Sequence, residues 1–105
     1  MKLNFIKKIE ILSTTFAVEY DKTTDSCFFS FKNSKIGVGI RSYKIDPLYT
    51  FSALSHELME LTLVSMCARF ESEREQHRYL FSFDHQTFEN AIQIHAQAIS
   101  KFIKQ

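Results

Sequence analysis

Apolar and polar residues alternate along the first part of the chain and recur at helical spacing along the rest. In "TTFAVEY" Phe16, Val18 and Tyr20 alternate with Ala17 and Glu19, the period of a strand with one buried face. "IEIL" before it predicts a hairpin partner, turned across Ser13-Thr14. "DKTTDS", residues 21 to 26, carries turn chemistry, and "CFFSF" after it predicts a third strand. "KIGVGIRS" alternates again: Ile36, Val38 and Ile40 share one face, and Gly37 and Gly39 fall on the other. A strand face without side chains lets a packed helix or another backbone come close. It also suits an edge to which an extended peptide could add, so Gly37 and Gly39 are candidate substrate-binding positions.

From Asp46-Pro47 the period changes. Proline at a first helical turn predicts a helix start there, with Thr50 or Ser52 as other caps, and the pattern runs to about Phe70. "ESEREQHR" follows as a charged, solvated stretch that leaves His77 on the surface. "YLFSF" is short, apolar and suited to an extended segment. Asp84 can cap a last helix with Phe88, Ile92, Ile99 and Phe102 on one stripe. The expected fold is α+β: one domain over residues 1–105, with a small, mostly antiparallel N-terminal sheet followed by two helices.

The first helix poses a chemical question. At about 100° per residue, Tyr49, Ala53, His56, Glu60, Leu63, Cys67 and Phe70 fall on one stripe. Leu54, Leu58, Leu61 and Ala68 occupy the other side, so the helix reads as apolar nearly all round and buried. An unpaired carboxylate in such a seam would cost several kcal/mol or stay protonated. His56 and Glu60, at i and i+4, stand one above the other, close enough to share one ion. A neutral imidazole and a carboxylate are both good zinc ligands. Glu57 points about 100° away, where the general base stands in a zinc hydrolase helix of the H-E-x-x-H kind. The plain alternative is a hydrogen-bonded core pair, which needs one partner where a metal needs three. Two further histidines, His85 and His95, lie on or beside the apolar stripe of the last helix and favour the metal.

The third ligand depends on how the helices pair. In a tight antiparallel pair, Glu60 is ~10 positions, or ~15 Å, from the turn, and its counterpart is residue 94 or 95, which favours His95. Residues 71 to 83 could instead span up to ~40 Å and climb back along the first helix, bringing His85 level with Glu60. A position in the first turn of a helix also keeps that ring neutral. Spacing and chain reach leave His85 and His95 both open as the third ligand.

Bulk properties narrow the function classes. Apolar residues make up 45% of the 105, and eleven phenylalanines support a core without disulfide staples. A net charge of +1 and a pI near 7.8 argue against nucleic acid as a partner, whose binders usually exceed a pI of about 9. Cys27 and Cys67 have no metal or redox spacing and read as buried free thiols, suited to a reducing compartment. "MKLNFIKKIEIL" has no signal-peptide apolar run, and no stretch approaches the ~20 apolar residues of a membrane span. These features predict a cytoplasmic protein with no membrane partner.

The order of strands, then "KIGVGI", then "LSHELMEL", then "YLFSFDHQTF" resembles small zincin-like proteins encoded by phages and mobile elements of bacteria. The resemblance covers about residues 26 to 102, but its specific part is short. It implies a minimal zincin-like metallopeptidase fold with one zinc. By position, His56 and Glu60 match the helical ligands, Glu57 the catalytic acid/base and His85 the trailing histidine, which makes His85 the expected third ligand and His95 a core or supporting histidine. Glu60 stands where a second helical histidine is usual, which bears on peptidase activity more than on metal binding. The expected function is zinc-dependent hydrolysis of peptide bonds with Glu57 as general base. Its rival is a catalytically inactive structural or protein-interaction module on the same fold.

Overall fold

The computed structural model describes residues 1–71 and 79–105. It has a four-stranded sheet at the N-terminus followed by two helices, an α+β fold. The strands are β1 (Lys8–Ile11), β2 (Thr14–Asp21), β3 (Phe28–Ser30) and β4 (Lys35–Gly39), in the order β1-β2-β4-β3. Helix α1 (Pro47–Ser65) leads into a small antiparallel hairpin, β5 (Arg69–Glu71) and β6 (Tyr79–Phe81), and α2 (His85–Lys101) follows.

The hairpin β1–β2 turns across Leu12 and Ser13, both at positive φ (47° and 71°), the twist that a two-residue hairpin demands. β2 and β4 pair parallel, Val18 opposite Ile36, whereas β3 returns antiparallel on the far side of β4. The sheet is therefore mixed, with two antiparallel ladders flanking a parallel one. Alternation in β2 and β4 aims Phe16, Val18, Ile36 and Val38 at the helices, and all four are buried. Against them pack Phe51, Leu54, Leu58 and Leu61 of α1 and Ala98 and Phe102 at the end of the chain. Each fully buried leucine there contributes about 1.5–3 kcal/mol. Backbone hydrogen bonds from Asn4 N to the Phe102 carbonyl and from Lys104 N to the Lys2 carbonyl tie the two ends together.

Asp46 caps α1, its Oδ1 accepting from Tyr49 N at 3.1 Å, and Asp84 caps α2, accepting from Thr87 N at 2.8 Å. α1 stops at Ser65, short of Phe70, because the chain turns at Cys67 (φ 58°) into β5. It is also not buried all round. Leu54, Leu58 and Leu61 face the core, but Tyr49 and His56 are exposed. On α2, Phe88 and Ile92 are exposed too; the helix instead buries Ala91 and Ala98. Cys27 is half-buried and Cys67 exposed, both as free thiols. His77 lies outside the described residues. Among the described residues no helix is long and apolar enough to cross a membrane.

Gly37 and Gly39 do not lie on a free edge, since β4 has β2 on one side and β3 on the other. A Cβ at Gly37 would run into the Phe28 ring, and one at Gly39 into the backbone of Asp25 and Ser26. The glycines therefore make room for β3 and the loop before it.

Candidate metal centre

The middle of α1 brings His56, Glu57 and Glu60 together. One ligand atom from each lies within 4.8 Å of the others. Helical spacing sets this geometry, and His56 Nε2 stands 3.0 Å from Glu60 Oε2. The His56 side chain is 68% exposed and that of Glu60 only 19%, so the pair spans the boundary between solvent and packed protein. Neither sits in a sealed seam. The Glu60 carboxylate is met by His56 on one oxygen and by Arg69 on the other.

Two clefts meet at His56. The first, about 600 Å³, runs between α1 and the approach to β3; His56 and Glu57 line it with Asp25, Cys27 and Arg41. The second, about 470 Å³, lies between α1, α2 and the hairpin, where His56 and Glu60 meet His95 and Phe81. Glu57 is half-buried, and its carboxyl is held above the usual range by burial and by the charge of Glu60, against the pull of His56 and Arg69. A carboxylate raised in this way is a better proton acceptor than a solvated one. Across the cleft, burial pushes the Cys27 thiol up, and the charges of Glu57 and Asp25 push the same way.

Arg69 completes the surroundings. Its Nη1 lies 3.9 Å from Glu60 Oε1, and its guanidinium lies over the Phe29 ring, 5.5 Å from the centroid. Spacing gives no hint of this residue. It becomes a neighbour of Glu60 only because the chain reverses at Cys67.

The two histidines of α2 part company. His85, 83% exposed in its side chain, pairs with Glu89 at 3.6 Å, and it is not part of the His56 group. His95 packs against α1, with Nε2 2.9 Å from Ser55 Oγ and 3.1 Å from the Ser55 carbonyl oxygen. The helices thus pair antiparallel with Ser55 beside His95, about five residues from the register in which Glu60 would face it, and His85 falls level with Ser65 at the C-terminal end of α1. The structure brings His95, not His85, to the cleft of His56 and Glu60.

One imidazole and two carboxylates are a donor set that zinc accepts. With Glu57 counted as a ligand no base remains on this turn. With Glu57 as the base, α1 supplies two donors, and His95 is the histidine that shares their cleft. The chemistry of the donors fits the metal on either count. No protein-family model, curated protein or solved structure matches the chain.

Proposed function

We propose that this protein is a zinc-binding, minimal metallopeptidase-like protein of the zincin type, acting on peptide bonds in the cytoplasm. The observation that carries the reading is one helical turn offering three ligand atoms within 4.8 Å at the meeting point of two clefts. His56 and Glu60 hold the metal, and His95, outside their three-residue group but lining the same cleft, is the histidine of α2 available to the set. Bound zinc would polarise a carbonyl and lower the pKa of a water. Glu57, with a carboxylate oxygen within 4.8 Å of the His56 and Glu60 ligand atoms, would take a proton from the attacking water and return it to the leaving amine. Its half-burial keeps that carboxyl basic. Two free thiols in a chain of this size agree with a reducing compartment.

A second reading keeps the fold and drops the catalysis, leaving a structural or protein-interaction module. It is favoured by the stacked pair Phe83 and Phe88, ring centroids 5.8 Å apart and both exposed. Such an exposed aromatic pair suits a protein or peptide partner. Zinc titration of the untagged chain, repeated on His56→Ala and Glu60→Ala, tests the metal. One zinc per chain, lost in both variants, is expected; a folded wild type that ignores zinc sinks the metallopeptidase reading and leaves the module, which needs only the fold. Cleavage of a peptide library by the wild type then separates enzyme from module.

A further inference from the structure

The cleft that Glu57 lines has two ends of different chemistry. It follows α1 from Tyr49 to Glu57, about two turns or ~12 Å. His56 and Glu57 stand at one end. The other end lies near the start of α1, where Asp46 N donates to the Ser42 carbonyl and holds the chain at Arg41 and Ser42 beside the helix cap. Arg41 lines the cleft, and among the described lining residues no other carries a permanent positive charge. Tyr49, exposed on the first turn of α1, adds a phenol to this end.

Arg41 is held from behind. Asp25, its side chain only 14% exposed, accepts from the Ser42 N–H (2.7 Å) and the Ser42 hydroxyl (2.8 Å). The same Asp25 lies 3.3 Å through Oδ2 from both Nε and Nη2 of Arg41. Both shorter contacts of the carboxylate go to Ser42, so the longer ion pair leaves Arg41 part of its charge. The Arg41 side chain is 63% exposed, and Nη1 takes no part in the contact with Asp25. A guanidinium has five N–H donors in a fixed fork, so it can donate to a second carboxylate while keeping the first. Restraint by the first also lowers the rotamer entropy lost on meeting the second.

We propose that Arg41 receives a carboxylate of a bound peptide, its C-terminus or an acidic side chain, at the end of the cleft away from Glu57. An extended peptide rises ~3.3 Å per residue, so about three to four residues join Arg41 to the bond that Glu57 serves. The position of that bond rests on the hydrolase reading above; the carboxylate site does not.

The test is NMR titration of the full chain in chelator, which leaves no metal to take the carboxylate. Three probes serve: acetylated tetra-alanine as the free acid, the same peptide as its amide, and that amide with aspartate in place of one alanine. The wild type should bind one or both acids about two- to fivefold more tightly than the neutral amide, the effect of an exposed ion pair. Which acid binds more tightly tells a C-terminus from an acidic side chain. Arg41→Gln should bind all three alike, while Arg41→Lys keeps the charge and part of the preference. A merely structural role would weaken all three peptides by one factor and leave their ratios unchanged. No binding or no preference in the wild type, or the same preference in Arg41→Gln, overturns the proposal. Cleavage of a peptide library by the zinc-loaded wild type is scored separately. A carboxylate preference without cleavage sinks the hydrolase and leaves Arg41 as a peptide-binding residue. Cleavage without the preference sinks the role of Arg41 and leaves the hydrolase.

Discussion

His95 Nε2 lies 2.9 Å from Ser55 Oγ, and this contact sets the register of α2 against α1. Four residues further toward the N-terminus of α2, Ala91 is buried in a cluster with Leu63 and Ala68, so the helices descend antiparallel with little offset. His85 stands a turn and a half before Ala91, which carries it to the C-terminal end of α1. The packing of α2 on α1, not the pattern within either helix, decides which histidine meets the site.

The two histidines should therefore respond differently to substitution. His85→Ala should leave zinc affinity within about twofold, because an exposed ring paired with Glu89 touches nothing of the site. His95→Ala removes a half-buried hydrogen bond between helices and should cost about 1–2 kcal/mol of stability. It should also weaken zinc at least tenfold. Parallel calorimetry and denaturant melts check both, and zinc lost in His85→Ala but kept in His95→Ala would mean that the helices pair otherwise.

Element types were legible in the chain because burial on one face writes its period into the sequence. Phe16, Val18, Ile36 and Val38 declared the inner face of the sheet, and Asp46 and Asp84 declared the helix starts. The parallel β2–β4 ladder was not legible. Inward alternation is the same whether a strand's neighbour runs up or down, so it reports the face and not the partner. The stripe of α1 misled for a related reason. Leucines on three sides of a helix imply full burial only if neighbours cover every side, and the flank bearing Tyr49 and His56 is left open. The grouping of His56, Glu57 and Glu60 is local and could be read directly. Arg69 and His95 reach the site through tertiary packing, which spacing does not encode.

Glu57→Gln separates chemistry from metal binding. The amide keeps the shape of the side chain and removes the proton acceptor, so zinc affinity should hold within about threefold while any peptide hydrolysis disappears. The same substitution tests the electrostatics. A carboxyl whose folded pKa is raised adds stability below its unfolded value of about 4.3 and loses it as pH rises through the folded value. In chelator, Glu57→Gln should melt higher than the wild type at pH 7, with the gain gone at pH 4. A gain that persists at pH 4 would show that burial, not charge, sets the difference.

Asp25 behaves in the opposite sense. Its carboxyl is held below the usual range by hydrogen bonds from the Ser42 hydroxyl (2.8 Å) and the Ser42 N–H (2.7 Å), with Arg41 adding a smaller pull. A lowered pKa means stability that is present above about 3.9, the unfolded value, and lost as pH falls through the folded one. Asp25→Asn keeps an acceptor for Ser42 N–H but removes the charge. It should melt below the wild type at pH 7 and approach it at pH 2–3, as thermal melts at the two pH values will show. A constant gap would assign the effect to packing.

The two glycines of β4 make a contrasting pair. At Gly37 the obstacle to a Cβ is the Phe28 ring, which is 50% exposed and can turn outward. A side chain in a strand interior also recovers about 0.5–1 kcal/mol relative to glycine, so Gly37→Ala should be near neutral. At Gly39 the obstacle is backbone, with Ser26 N and O each 2.6 Å from the added carbon. That backbone cannot give way freely, because Asp25 beside it is tied to Ser42 and Arg41. Gly39→Ala should therefore cost about 1–3 kcal/mol, as overpacking does. It should also displace Cys27, which lines the Glu57 cleft next to this loop. Denaturant melts give the two costs, and the labelling rate of Cys27 with a thiol reagent in a Cys67→Ser background reports the displacement. Equal costs, or an unchanged labelling rate in Gly39→Ala, would mean that the loop before β3 yields as easily as a phenylalanine ring.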